Sequence, residues 1–334
     1  MNRALIIAEA GPNHNGKLKL AYELVDLAKK CGADFVKFQT SIPELHISRF
    51  AQKAKYQIKN TRSKGSQLEM IKKITLSYSQ FRLLKNYCKK KNIEFLSTPF
   101  DLKSIDFLKS LKMKYFKIPS GEITNLVYLQ KVGMLKKKII LSTGMANMKE
   151  IRDALKVLTS NGTKKKNITV MQCNTEYPTP IKDANLKAML TIKKKFRVNV
   201  GYSDHTEGIE ASLAAVALGA KIIEKHFTLN KNMIGPDHKA SIVEKELINL
   251  VQGTRKISFA LGDGIKRVSS SEKRNIKIAR NSLVAAINIK KGNKFTMKNI
   301  IAKRPGTGIS PMKLFRVIGK IAKKNFTQDE LIKL

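Results

Sequence analysis

The sequence predicts an α/β chain: an eightfold (β/α) barrel followed by a small β-rich domain. Three observations carry that reading. Eight short apolar runs, each giving way to polar or charged residues at its C-terminal end, organise most of the 334 residues. Between most of them lies an amphipathic, Lys-rich stretch of helical length, so strand and helix alternate. Eight β/α units in about 260 residues is the count and size of a TIM barrel. An open doubly wound sheet competes less well. No G-x-G-x-x-G follows the first run, and polar residues are spread over all eight ends rather than gathered at one switch point.

The predicted strands are 4–10, 35–39, 93–98, 115–119, 138–143, 168–173, 198–203 and 222–227. Their C-terminal ends form the catalytic face of such a barrel. There stand Glu9 and His14, Lys37 and Gln39, Thr98, Lys117 and Glu122, Ser142, Asn174 and Tyr177, His205 and His226. Strand starts follow one another by 22 to 31 residues, except that the second and third are 58 apart. The insertion, 40–73, holds His46, Tyr56 and a turn-like 63–66. It is read either as a lid over the active face or as a peripheral decoration. Periodicity ends near Gly262-Asp263-Gly264. The expected division is a barrel over 1–262, a linker over 263–281 and a small domain over 282–334. In that domain 282–289 and 294–296 read as β pieces. With so few residues it is expected to lean on another subunit.

A net charge of +40 and a pI near 10.2 ordinarily point to nucleic acid or an anionic membrane. Placement argues otherwise. The runs at 29–30, 89–91, 112–114, 136–138, 164–166 and 193–195 each end a helix or precede a strand. They therefore gather at the face opposite the chemistry, where cations complement helix dipoles. Tryptophan is absent, and no basic stripe interleaved with aromatics offers a stacking platform. No specific nucleic acid and no membrane is expected as a partner. No apolar run reaches membrane-span length, no signal peptide is read at the start, and three scattered cysteines make no disulfide framework. The expected compartment is the cytoplasm.

Three constellations carry chemistry. The first is Gly201-Tyr202-Ser203-Asp204-His205-Thr206 with Glu224-Lys225-His226-Phe227. Its histidines end neighbouring strands, about 4.8 Å apart in a parallel sheet, so two imidazoles can share a metal ion. That ion would act as a Lewis acid on a substrate oxygen. The second is cationic: Lys37 and Lys117 sit inside apolar strands, where an unpaired ammonium is costly. An inward lysine there is a Schiff-base nucleophile or an anion ligand. With Thr98, Ser120, Ser142 and Ser203 the pair suits a compact phosphate- and carboxylate-bearing ligand. The third is Glu9 with Asn13-His14-Asn15-Gly16, Glu122, and Asp237-His238, carboxylates able to hold sugar hydroxyls or move protons.

These residues resemble a known family, the sialic acid synthases. The likeness rests on Ala8-Glu9-Ala10-Gly11-Pro12-Asn13-His14-Asn15-Gly16, Lys37-Phe38-Gln39, Ser97-Thr98-Pro99-Phe100-Asp101, Lys117-Ile118-Pro119-Ser120-Gly121-Glu122, Ser142-Thr143-Gly144-Met145 and Tyr177-Pro178-Thr179-Pro180. It continues through both histidine motifs and Gly235-Pro236-Asp237-His238. Ile289-Lys290-Lys291-Gly292 and Lys303-Arg304-Pro305-Gly306 resemble that family's antifreeze-like (SAF, β-clip) domain. Two departures, Pro12 and Ala279-Arg280-Asn281, remove no ligand.

The resemblance implies condensation of phosphoenolpyruvate with an N-acyl-mannosamine-type sugar, giving a nonulosonic acid and phosphate. It implies a divalent metal on His205 and His226, probed first as Mn²⁺ and then as Mg²⁺ or Co²⁺. It places phosphoenolpyruvate on Lys37, Gln39, Thr98, Lys117, Ser120, Ser142, Asn174 and Ser203. The sugar falls to Glu122, Tyr177, Asp237 and, from the partner of a domain-swapped homodimer, Arg304. Glu9, Glu122, His205 and His226 are the expected catalytic groups. The expected activity is N-acetylneuraminate synthase, with N,N'-diacetyllegionaminic or pseudaminic acid synthase as the alternative. A metal-dependent or Schiff-base aldolase is more distant, and a polyanion-binding protein would show a steep salt slope and no turnover.

Overall fold

The computed structural model describes residues 3–62 and 64–334; of the turn read at 63–66, Ser63 lies outside the described residues. The chain divides into two compact units, Met1–Gly262 and Asp263–Leu334. In the first, eight parallel strands form one sheet: β1 (Leu5–Gly11), β2 (Phe35–Thr40), β3 (Glu94–Pro99), β4 (Tyr115–Ile118), β5 (Lys138–Ser142), β6 (Ile168–Cys173), β7 (Asn199–Asp204) and β8 (Ile222–His226). The order β3-β2-β1-β8-β7-β6-β5-β4, with β3 beside β4, closes the barrel.

Helices alternate with the strands as the periodicity predicts. They are α1 (Leu18–Lys30), α2 (Lys55–Thr61), α3 (Gln67–Ile74), α4 (Tyr78–Lys90), α5 (Leu102–Ser110), α6 (Leu126–Met134), α7 (Met148–Ser160), α8 (Lys187–Phe196), α9 (Glu210–Ala217) and α10 (Glu244–Ala260). In α1, Ala21, Leu24, Val25, Leu27 and Ala28 are buried while Lys29 and Lys30 sit in the exposed last turn. That 3.6-residue stripe buries one face against the sheet. Local polar caps fix where helices start: Asn147 accepts from two amides of α7, and Asp101 from the Ser104 amide of α5.

The insertion is structured. It holds a 3-10 turn (Pro43–Leu45), α2 and α3, and it is tied to the catalytic end. Asp101 Oδ2 accepts from the Ile42 amide at 2.8 Å, and Asn60 Nδ2 donates to the Pro236 carbonyl at 2.7 Å. Gly16, at φ +73°, lies so near the end of α3 that a Cβ there would come within 2.6 Å of the Lys73 carbonyl. Of the two readings of 40–73, the cover over the active face is the one the chain adopts.

In the second unit, α11 (Ser270–Lys273) and α12 (Asn275–Ala279) precede an antiparallel pair, β9 (Ser282–Ala285) and β10 (Ile300–Lys303). The expected β piece at 294–296 reduces to one bridge, Lys294 to Ile321, and β9 is shorter than predicted. Ile300–Lys303 takes the pairing instead, because Ile300 is buried in the small core with Leu283, Phe295 and Phe326. Arg304 follows β10 and is exposed.

Candidate active site

Alternation along the strands builds the site in layers. The lowest inward layer is apolar: Ile7, Phe35, Leu96, Ile140, Met171 and Ile222 form one buried cluster. Gly201 completes it, since a Cβ there would meet Met171 Sδ at 2.4 Å. Two residues further along each strand the layer turns polar. Glu9, Lys37, Thr98, Lys117, Ser142, Ser203 and Glu224 are all buried. Register pairs Glu9 with Lys37 and Ser203 with Glu224, and sets Glu9 beside His226 on its other side.

This polar floor is a closed charge network. Lys37 Nζ lies 2.8 Å from Glu9 Oε2 and 3.7 Å from Glu224 Oε2, and donates to Thr98 Oγ1 at 3.0 Å. Lys117 Nζ donates to Glu224 Oε1 at 2.9 Å, and Ser203 Oγ donates to the same oxygen at 3.1 Å. Burial raises the Glu9 carboxyl to about 7, against the pull of Lys37. Burial also works to raise Glu224, but Lys117 and Lys37 outweigh it and hold Glu224 at about 2. For Lys37 burial works downward, and Glu224 and Glu9 more than offset it, so its pKa is raised. Two neighbouring carboxyls are thus split into an ionised partner for the lysines and a group able to carry a proton near neutrality.

Above the floor stand the histidines, with ring centroids 5.4 Å apart. His205 Nδ1 lies 2.5 Å from the Asn174 carbonyl, which can only accept, so Nδ1 carries the proton and Nε2 a lone pair. His226 Nδ1 is buried without a hydrogen-bond partner, 3.8 Å from Asp237 Oδ2. Burial lowers His205 to about 4 and holds His226 well below the usual imidazole value, so both rings are neutral. Two neutral imidazoles, one oriented by a carbonyl, have the donor chemistry of a metal pair. Among the described residues no group of three His, Cys, Asp or Glu side chains is arranged to hold an ion. Tyr177 stacks on His205 at 4.1 Å and stands edge-on to His226 at 5.5 Å.

Other expected residues fall in three groups. Gln39 donates to Glu9 Oε1 at 3.2 Å, and Ser120 Oγ accepts from the Gly144 amide at 3.0 Å; both line the cavity with Ser142. Asp237 is buried, and burial raises its carboxyl to about 7. The Asn174 carbonyl serves His205, while its Oδ1 accepts from the Glu176 amide of its own loop. Glu122 lies just past the end of β4, in a 3-10 turn, half-buried, its Oε2 accepting from Asn125. Arg304 belongs to the second unit.

Sequence reasoning missed the supports. Lys225 Nζ lies 3.0 Å from Asp204 Oδ2, and Asp204 also accepts from Thr206 and Ser212, all buried behind the histidine loops. Their signal was the Ser-Asp-His and Glu-Lys-His alternation, which turns Asp204 and Lys225 to the outer face of β7 and β8. Also missed was the cavity's second lobe. A deep lobe of about 450 Å³ lies over the lysines. An outer lobe of about 320 Å³ continues from it past Gln39, Tyr177 and His226 to Asp237, His14 and the insertion.

Fold and site together define a barrel whose strand ends enclose two lysines, two carboxyls and two histidines, followed by a separate β unit. The chain belongs to the NeuB family, whose model matches residues 24–266; a SAF domain model matches residues 280–334. It is 57% identical over 333 residues, 100% of both chains, to an N,N'-diacetyllegionaminic acid synthase of Campylobacter jejuni. It is 43% identical, over 96% of this chain and 91% of the other, to the synthase of that name from Legionella pneumophila. A solved N-acetylneuraminic acid (sialic acid) synthetase from Leptospira borgpetersenii, in complex with citrate, shares 36% identity and a TM-score of 0.73 over 82% of this chain and 90% of that one. No helix among the described residues is long and apolar enough to cross a membrane.

Proposed function

We propose that the protein condenses phosphoenolpyruvate with 2,4-diacetamido-2,4,6-trideoxymannose to give N,N'-diacetyllegionaminic acid and phosphate. The observation that carries the reaction is the floor in which Lys37 and Lys117 converge beside a carboxyl able to take up a proton. With Glu9 protonated the cluster is net cationic, the state an incoming phosphate and carboxylate favour. The choice of sugar is supported by the relatives. Sequence analysis puts N-acetylneuraminate first, whereas 57% and 43% identity to legionaminic acid synthases, against 36% to a sialic acid synthetase, supports the alternative.

In this reading Lys37, Lys117, Ser120 and Ser142 hold phosphoenolpyruvate, and the sugar's aldehyde lies toward His226 and Asp237. The methylene carbon C3 of phosphoenolpyruvate attacks the aldehyde carbon, water adds at C2 and gives up a proton, and the C2–O bond to phosphate breaks as the C2 ketone forms, the second water proton leaving with the phosphate. Glu9 is the group placed to give a proton to the new alkoxide, because it is the floor carboxyl that burial raises to about 7 beside Lys37. His205 and His226 would hold a divalent ion, tested first as Mn²⁺. When bound, such an ion supplies Lewis acidity to a substrate oxygen. A Schiff-base aldolase is disfavoured, since Glu224 and Glu9 keep the Lys37 ammonium protonated and so non-nucleophilic. The proposed assembly is a homodimer in which Arg304 of one copy reads the N-acyl group bound by the other. Mixed His205→Ala and Arg304→Ala chains would then recover activity that neither has alone.

The test is phosphate release from phosphoenolpyruvate with a panel of mannosamine derivatives. The expected result is release with the diacetamido-trideoxy sugar well above that with N-acetylmannosamine. No release with either removes the reading.

A further inference from the structure

The outer lobe contains more than the reaction needs. Its barrel side is polar, with His14, Gln39 and Asp237. Its far side belongs to the insertion, where α3 turns Gln67, Ile71 and Ile74 to the cavity at i, i+4 and i+7, one face of a helix. Ile47, just past the 3-10 turn, joins them. The three isoleucines are only half-buried by protein, so each leaves aliphatic surface facing the lobe. Among the described residues lining this lobe, Asp237 is the one carboxylate and there is no lysine or arginine.

Several polar groups on that side are spent on the insertion's own backbone, while the Gln67 amide lines the lobe beside Ile71. Thr75 Oγ1 donates to the Ile71 carbonyl at 2.8 Å, Gln57 Oε1 accepts from the Ala54 amide at 2.9 Å, and His46 Nδ1 lies 3.3 Å from the Ile42 carbonyl. A hydroxyl pushed against the three isoleucines would lose water and find no partner on them, whereas a methyl would bury well. An open-chain six-carbon sugar with its aldehyde at His226, where the lobes meet, directs its far end into this lobe.

We infer that Ile47, Ile71 and Ile74 are specificity-determining residues that seat the C6 methyl of a 6-deoxy sugar and discriminate against a C6 hydroxyl. This rests on the proposed condensation and identifies what in the chain selects the trideoxy substrate. An apolar pocket rejects an analogue that merely adds a hydroxyl by about 10²-fold. That is the discrimination expected of the wild type.

The experiment compares kcat/KM for 2,4-diacetamido-2,4,6-trideoxymannose and for its 6-hydroxy counterpart, which differ only at C6. Ile71→Thr/Ile74→Thr keeps β-branched shape but offers hydroxyls. It should cut the preference to about tenfold or less, mainly by gains on the 6-hydroxy sugar, with the KM for phosphoenolpyruvate unmoved. Ile71→Val/Ile74→Val should keep the wild-type ratio. If the threonine pair does not fold, Ile47→Thr alone is read in the same way. A wild type that uses both sugars equally, or variants that lose both in proportion, overturns the inference while the condensation stands. A wild type that releases phosphate with neither sugar overturns the condensation, and the wall with it.

Discussion

The two ends of the barrel use the same residue in opposite ways. At the strand C-termini Lys37, Lys117 and Lys225 are almost fully enclosed, each with a carboxylate oxygen within about 3 Å. At the other end Lys29 and Lys30 of α1, Lys89 and Lys90 of α4, and Lys193, Lys194 and Lys195 of α8 lie in exposed last helical turns. A buried ammonium is tolerated only with its partners in place and is then costly to disturb. A solvated one interacts weakly and is screened by salt. The difference teaches that a net charge of +40 says little about function here, while three of its lysines say a great deal. Perturbations at the two ends should therefore differ by orders of magnitude.

The largest effect should come from the two histidines at the top of the enclosed end. Excess chelator should abolish phosphate release, and added Mn²⁺ should restore it. His205→Ala and His226→Ala should each lose Mn²⁺ binding by calorimetry while far-UV circular dichroism stays that of the wild type. Full turnover in chelator would remove the metal from the proposal.

Next come the floor lysines. Lys37→Ala or Lys117→Ala leaves a buried carboxylate without its main partner, a loss of about 3–5 kcal/mol for such pairs. Steady-state kinetics should show kcat/KM for phosphoenolpyruvate down by about 10²- to 10³-fold, with the KM for the sugar much less affected. Equal losses for both substrates would mean that the floor supports the fold rather than holding the anion.

How much of this end was legible follows from the range of each interaction. Strand alternation is local, so the inward set Glu9, Lys37, Thr98, Lys117, Ser203 and His226 could be read from each segment alone. Partner choice is not local. Glu9 was expected to act on the sugar or a proton, and that its carboxylate also neutralises Lys37 depends on the register of β1 against β2. Asn174 stands out in the sequence only as a polar residue at a strand end, while the contact of its backbone carbonyl with His205 is one no side-chain pattern encodes. The insertion was visible as a gap of 58 residues between strand starts, but the face α3 turns inward depends on where the helix docks.

Behind the site, the Asp204–Lys225 pair extends the comparison from activity to stability. Asp204→Ala would leave the buried Lys225 ammonium with the Thr206 carbonyl but no counter-charge, and the hydroxyls of Thr206 and Ser212 without their acceptor, so a loss of about 3–5 kcal/mol is expected in urea unfolding. The exposed pair between Lys30 and Glu244 provides the control, and Glu244→Gln should be close to neutral. A similar small loss for both would show that enclosure does not set the energetics.

The smallest effect belongs to the opposite end. Changing Lys193, Lys194 and Lys195 together to Gln lowers the net charge from +40 to +37. Two terms oppose each other. The last turn of α8 loses cations that complement its dipole, while the chain sheds part of the self-repulsion of so large a net charge. Both act through water and both weaken with salt. The expected net change in unfolding free energy is therefore within about 0.5 kcal/mol, with KM and kcat for both substrates unchanged. A marked loss of turnover in this variant, at moderate salt and with unchanged stability, would show that the basic end contributes to catalysis and would erase the contrast between the two faces.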